Sequence, residues 1–282
     1  MKINLIKRIK QKTLIRDVLS KLGFSDYRIL YKNLFFKYLD YISVSKNTVR
    51  MGSEYGFWMF IDSHKLNKAT YISAGVGEDI SFDVEFLSKY KGKAIFVDPT
   101  PKALEHLRKV IDNLGSSKKQ DYIAGGFQPI DAYELSEINV DQIIIENYAL
   151  FDSSDKVLDF YPPKESDHVS HSISNLQKIS KKNPEIFKVK TTTVKDLMNK
   201  HNIEKLSLIK LDIEGAAEDH VIPNLIKDKI FPDQILVEFD NLYFKGLISY
   251  LKAALLIRKL LLKNYNLLKT DYLHGLLFVK NS

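Results

Sequence analysis

The sequence predicts an α/β protein, with a mostly parallel sheet, helices on both faces and a basic helical extension at its start. Three observations carry this prediction. Strand-like and helix-like segments alternate from residue 70 onward. A Gly75-Val76-Gly77 turn links the first of these strands to the first of these helices. Asp98 and Asp212 stand at the ends of two later strands. Such alternation builds a parallel sheet covered on both sides. Its ligand site falls at the carboxyl ends of the strands, near the topological switch point.

The elements follow in order. Ile3, Ile6, Ile9, Ile15, Val18, Leu19 and Leu22 recur at helical spacing between basic residues, which predicts an amphipathic helix over 3–22. The preferred reading is a helix packed on the domain or on a second subunit. The alternative is a helix lying on an anionic membrane face. An aromatic-rich helix follows over 26–42. Strands are predicted at Tyr71–Ala74, Ala94–Val97, Gln142–Glu146, Leu206–Leu211 and Gln234–Phe239. Helices are predicted at Ser81–Tyr90, Lys102–Leu114, Thr193–His201 and Gly246–Lys263. Tyr265–Lys269 and Leu276–Val279 form a closing strand pair. Residues 151–190 break the rhythm with Pro162-Pro163, Asn183-Pro184 and clustered Ser, His and Asp. A stretch this long without regular pattern reads as an insertion over the site, with Lys156–Tyr161 pairing with Phe187–Thr191. The expected division is 1–50 as the extension and 51–282 as the main domain.

Length and composition set limits. A chain of 282 residues fits one main domain with an appendage. Hydrophobic residues at 45% and charged residues at 27% exclude a disordered chain. The chain has no cysteine, which excludes disulfides, thiolate metal sites and cysteine nucleophiles and fits a reducing compartment. The net charge of +7 is uneven. Residues 1–50 carry 12 Lys/Arg and 3 Asp, and the remainder carries 30 basic against 32 acidic residues. The body is therefore nearly neutral, and no nucleic-acid partner is expected. Lys and Arg interrupt the start too often for a secretory signal. The run Leu247–Leu262 contains Lys252, Arg258 and Lys259, so it is not expected to span a membrane.

Three motifs carry chemistry. Ala74, Gly75, Gly77, Glu78 and Asp79 lie between a strand and a helix, where glycines let the backbone approach a ligand closely. Ile80 stands where a dinucleotide fingerprint needs its third glycine, and the lysine of a phosphate-binding loop is absent. Asp98, followed by Pro99, can accept hydrogen bonds from both hydroxyls of a ribose. It can equally close the start of the next helix together with Thr100 and Pro101. Lys210-Leu211-Asp212-Ile213-Glu214-Gly215 places two carboxylates at a strand end, able to position a substrate or take a proton. They can also cap the following helix.

These stretches (YISAGVGEDISFD, FVDPTPKAL, TTTVKDL, IEKLSLIKLDIEGAAEDHVI and ILVEFD) resemble the FkbM-type S-adenosylmethionine-dependent methyltransferases over residues 52–280. The resemblance implies a Rossmann-like seven-stranded sheet in order 3-2-1-4-5-7-6 with the last strand antiparallel. It implies S-adenosyl-L-methionine as cofactor. Gly75 and Gly77 would line its methionine and ribose, Asp98 the ribose hydroxyls, and Asn147, Tyr148 and Ala149 the adenine. Ser73 stands where this family usually has an acidic residue, and Glu78 and Asp79 are the nearby substitutes.

Of the histidines, His168 and His171 lie in the insertion, and a neutral imidazole is a natural base for a hydroxyl. The others are read as structural or exposed. Trp58, with Tyr55 and Phe57, reads as core or as a sugar-stacking surface, with core preferred. The expected activity is O-methylation of a sugar hydroxyl of a surface polysaccharide or glycolipid. Asp212 or His171 is the base, Glu214 and Glu238 position the acceptor, and no metal is called for. The rivals are an N- or small-molecule O-methyltransferase, or a non-catalytic nucleoside-binding assembly subunit. The expected setting is the cytoplasm, with a small-molecule or glycan acceptor, a homo-oligomeric partner, and a basic N-terminus able to meet the inner membrane face.

Overall fold

The computed structural model describes residues 27–162, 171–173, 175, 179–180, 185–244, 246–269 and 275–281. The predicted helix over 3–22, His168 and His274 lie outside them. A helix α1 (Tyr27–Ile42) precedes a small hairpin of β1 (Val49–Met51) and β2 (Trp58–Phe60), which the sequence reading missed. Then come β3 (Thr70–Ala74), α2 (Ser81–Tyr90), β4 (Lys93–Val97), α3 (Pro101–Asp112) and β5 (Ile143–Glu146). A short β6 (Ala149–Leu150) follows, and the insertion supplies β7 (Val157–Phe160) and leads into β8 (Phe187–Thr192). The second half runs through α4 (Val194–Lys200), β9 (Leu208–Leu211), α5 (Ile222–Asp228), β10 (Gln234–Glu238), α6 (Asn241–Phe244) and α7 (Gly246–Leu261). It closes with β11 (Tyr265–Lys269) and β12 (Gly275–Lys280).

The main sheet has seven strands in the order β5-β4-β3-β9-β10-β12-β11. Numbered by their succession along the chain, they run 3-2-1-4-5-7-6. Neighbours pair in parallel except at β12, which is antiparallel to both β10 and β11. The chain builds outward from β3 to β5, then returns to start the other half at β9. The switch point is therefore the β3–β9 seam, where a crevice opens at the strand ends.

Burial on both faces explains the apolar character of these strands. Successive side chains point to opposite faces. Ile72, Ile95, Ile209 and Ile235 face one core with α1, α4, α5 and α7. Tyr71, Ala94, Phe96, Leu208 and Leu236 face the other with α2 and α3. The second core contains an aromatic cluster in which Phe86 lies 4.8 Å from Tyr71 and 4.6 Å from Tyr90, ring centre to ring centre. Parallel strands covered on both sides read as continuous apolar runs for this reason.

The insertion forms the expected antiparallel pair, with Val157 opposite Lys190 and Phe160 opposite Phe187. The structure adds β6, which joins β8 in parallel. Past β7, Tyr161 exchanges backbone hydrogen bonds of 2.8 and 3.0 Å with Ser172. This places His171, Ser172 and Ile173 beside the main sheet's upper edge.

Candidate active site

A cleft of about 300 Å³ opens at the carboxyl ends of β3, β4, β9 and β10. Its floor is the glycine turn. Gly75 has φ of +75° and Gly77 of +62°, the left-handed region that favours glycine. The backbone of this turn is tied on both sides. Gly75 N–H donates to the Val97 carbonyl at 3.1 Å, and Asp212 N–H donates to the Ala74 carbonyl at 3.0 Å. Ala74 itself is fully buried beneath the cleft and does not line it.

Asp98 ends β4 and faces the cleft, buried to 5% exposure. One carboxylate oxygen accepts from the N–H groups of Val76 at 2.8 Å and Gly77 at 3.2 Å. The other accepts from Thr100 N–H at 2.8 Å and its hydroxyl at 2.6 Å. A carboxylate offers about four lone-pair sites. The chain itself engages all of them, so Asp98 braces the glycine turn and the entry to α3 at once. Thr100 stands at the N-cap of α3, and its hydroxyl makes no capping bond to the helix but donates to Asp98.

Asp79 lines the cleft, but its carboxylate turns aside. It accepts from the Ser53 hydroxyl at 2.6 Å, Ser81 N–H at 3.0 Å and the Gln128 amide at 3.2 Å. Its work is to bind the loop before β2 to the start of α2. Glu78 lines the cleft and, through its carbonyl, accepts from Gln128 N–H at 2.9 Å.

The opposite wall is acidic. Asp212 and Glu214 follow β9, and Glu238 ends β10. Burial pushes the Asp212 carboxyl above the usual range. The Lys210 ammonium opposes this rise and Asp98 adds to it. Burial, then Asp212, Glu214 and Glu218, push Glu238 up to about 8. Asp240 behind them is held well above the usual range by burial and by Glu214, Glu238 and Asp212. Its carboxyl accepts from Gly215 N–H at 2.8 Å and so fixes the sharp turn at Glu214 (φ +50°) and Gly215 (φ +82°). The Ser172 hydroxyl donates to the Glu214 carbonyl at 2.8 Å from the insertion side. Among the described residues, no cluster of three or more His, Asp or Glu side chains is arranged to hold a metal ion.

His171 lines the cleft from the insertion. Its ring stacks on Phe160 at 5.7 Å and tilts against Phe187 at 5.5 Å. Tyr148, Ala149 and Pro99 line the same cleft, but Asn147 is exposed outside it. Asn147 is thus the one member of the expected adenine-side trio that the fold leaves out.

Tyr55 and Trp58, for which the sequence favours a core reading, both line the cleft. Tyr55 reaches over the cleft, and burial with Asp212, Glu238, Glu214 and Asp79 raises its hydroxyl above the usual value. A Cβ on Gly126 would meet the Tyr55 ring at 2.8 Å, so the ring rests on that glycine. Trp58 belongs to the cleft wall rather than the core interior. Lys210 is buried, with its ammonium 3.2 Å from Ser73 Oγ, 3.5 Å from Asp83 and 5.8 Å from the Trp58 ring centre. Asp83 also accepts from the Tyr71 hydroxyl at 3.1 Å. Ser73, which stands where the family usually has an acidic residue, is thus the neighbour of a buried Lys210–Asp83 pair. No spacing rule links positions 73, 83 and 210, so only the fold reveals them. The histidines read as structural are bound away from the cleft: His106 to Tyr133 at 2.9 Å, His201 to Glu146 at 2.5 Å and His220 to Asp152 at 2.7 Å.

The model of the methyltransferase FkbM domain matches residues 64–261, more than half of the chain. The chain belongs to the FkbM methyltransferase family. Its matched span contains the glycine turn, Asp98, the Lys210–Gly215 segment and Glu238, and it stops before β11 and β12. No curated protein matches the chain. Membership in the FkbM family supports methyltransferase activity. The mixed seven-stranded sheet is the frame such an activity needs, with its cleft at the switch point.

Proposed function

We propose that this FkbM methyltransferase moves the methyl group of S-adenosylmethionine onto an oxygen, the acceptor being a sugar hydroxyl of a surface polysaccharide or glycolipid. The observation that carries the reading is the acidic wall of Asp212, Glu214 and Glu238 across from the glycine turn. The cofactor is a sulfonium with an ammonium group, so a cleft rich in carboxylates is chemically fitted to it. The glycine turn, Tyr148 and Ala149 would hold its nucleoside end. A ribose hydroxyl at Asp98 would share oxygens that the chain already uses. When bound, the cofactor supplies an electrophilic methyl.

The chain's own residues would do the rest. Asp212, which follows the end of β9, would accept the acceptor's proton, and Glu238, pushed up to about 8 by burial, would help position the acceptor. His171 would approach from the insertion. Glu214 would position acceptor hydroxyls, and Tyr55 and Trp58 offer aromatic faces against which a sugar ring packs. The insertion and the Tyr55 loop would exclude water. The cysteine-free composition agrees with a cytoplasmic setting.

Calorimetric titration with S-adenosylhomocysteine tests the reading. Saturable one-site binding is expected. No binding to the folded chain would favour a non-catalytic assembly subunit. Binding without transfer to any glycan, but with transfer to an amine, would move the reading to N-methylation.

A further inference from the structure

We infer that the outer face of α7 is a docking surface for an anionic lipid bilayer. Large apolar side chains stand in water here: Ile248 is 69% exposed, Leu251 56% and Leu255 60% on the helix, and Leu262, just past its end, 74%. Its other side, with Ser249, Ala253, Leu256, Ile257 and Leu260, is buried in the domain. At 3.6 residues per turn the three exposed side chains of the helix, Ile248, Leu251 and Leu255, fall within roughly 60° of arc. Arg258 borders that arc on one side and Lys252 and Lys259 on the other, with Lys263 just past the helix end, all exposed. An apolar stripe flanked by basic residues on both sides is the pattern of a helix lying in a membrane interface. Contiguous exposed apolar surface of this kind marks an interaction site.

The charge pattern decides the occupant. From Asn241 to Lys269 the chain has no acidic residue. Lys252 lies 3.8 Å from Asp219, and among the described residues Arg258, Lys259 and Lys263 have no ion-pair partner. A second copy docked face to face would bring these like charges together. The first 26 residues carry seven Lys/Arg against two Asp, so they repel the face as well. An anionic surface that accepts apolar side chains satisfies both halves of the pattern. The inference does not rest on the proposed acceptor.

The test is co-sedimentation of the full chain with vesicles of phosphatidylcholine alone and of phosphatidylcholine with phosphatidylglycerol. Binding is expected only with the anionic lipid and should fall as salt rises. Arg258→Gln/Lys259→Gln/Lys263→Gln should weaken it roughly a hundredfold, taking each basic residue as about fivefold. Leu251→Glu/Leu255→Glu should abolish it, with the melting temperature unchanged. Undiminished vesicle binding in both variants would overturn the inference, and so would absence of binding by the unaltered chain. A dimer turned monomer by Leu251→Glu/Leu255→Glu, or a lowered melting temperature, would also overturn it. The face would then be covered by a second copy or by the chain itself.

Discussion

A Cβ placed on Gly75 would lie 1.6 Å from the carbonyl oxygen of Asp212. The glycine turn and the acidic strand end are therefore in backbone contact, and each fixes the position of the other. Gly75→Ala cannot be absorbed by a side-chain rotation, because the obstacle is backbone, and the φ of +75° adds strain. A destabilisation of roughly 2–4 kcal/mol is expected. Denaturant unfolding checks it, and a loss below about 1 kcal/mol would show that β9 can shift aside.

Asp98→Ala should cost stability as well as cofactor affinity. Four hydrogen bonds to the turn and to Thr100 disappear. A loss of roughly 2–3 kcal/mol in unfolding is expected, since bonds to a charged group are the stronger kind. Affinity for S-adenosylhomocysteine should fall by about 1.5–3 kcal/mol. A destabilised variant with unchanged affinity would leave Asp98 as a brace and remove its ribose role.

The raised carboxyl of Glu238 makes stability depend on pH. Its folded value of about 8 exceeds the unfolded value of 4.5. The unfolded chain therefore gives up this proton first as pH rises. The associated stability is complete below about 4.5 and is lost progressively up to about 8. Asp212 and Asp240 shift in the same direction. Melting temperature should thus decline between pH 5 and 8.5, and Glu238→Gln should flatten the decline. An identical slope in the variant would place the titration elsewhere.

The base can be separated by single substitutions. A hydroxyl acceptor must lose its proton as the methyl arrives, and general-base help is worth roughly 10²–10⁴-fold. Asp212→Asn should lower kcat by that factor if the carboxylate takes the proton, with cofactor affinity little changed. His171→Asn should do so instead if the imidazole takes it. The strand end is the expected winner, because a strand holds a side chain more rigidly than an insertion loop. Full turnover in both variants would point to an acceptor already nucleophilic when neutral.

Lys210→Met should strand Asp83 as an unpaired buried carboxylate. Removing one partner of a buried pair costs roughly 3–5 kcal/mol, whereas replacing both partners by apolar groups is far milder. Lys210→Met/Asp83→Leu should therefore recover much of the stability lost in the single variant. A double variant worse than the single one would show that the two groups act separately.

The strands and helices of the main domain were legible along the chain because their signals are local. Apolar runs at Ile72, Ile95, Ile209 and Ile235 mark strands buried on both faces, and glycines mark the turn that no other residue adopts without strain. Clustering Asp212, Glu214 and Glu238 at one end of the sheet was equally legible, since strand ends in a parallel sheet converge. Which partners each carboxylate has within the chain was visible only in the fold. Asp79 and Asp98 read as cofactor-side residues in sequence, and the fold adds that both accept hydrogen bonds from backbone and side-chain partners within the chain. Asn147 keeps its place beside β5 but falls outside the cleft. Tyr55 and Trp58 arrive through a hairpin too short to give a period. Lys210, Ser73 and Asp83 meet across 137 and 127 residues of chain. Local periodicity encodes which face of an element is apolar. Hydrogen-bond partnership and proton affinity depend on distant residues brought together in a medium of low dielectric, and no spacing along the chain encodes them.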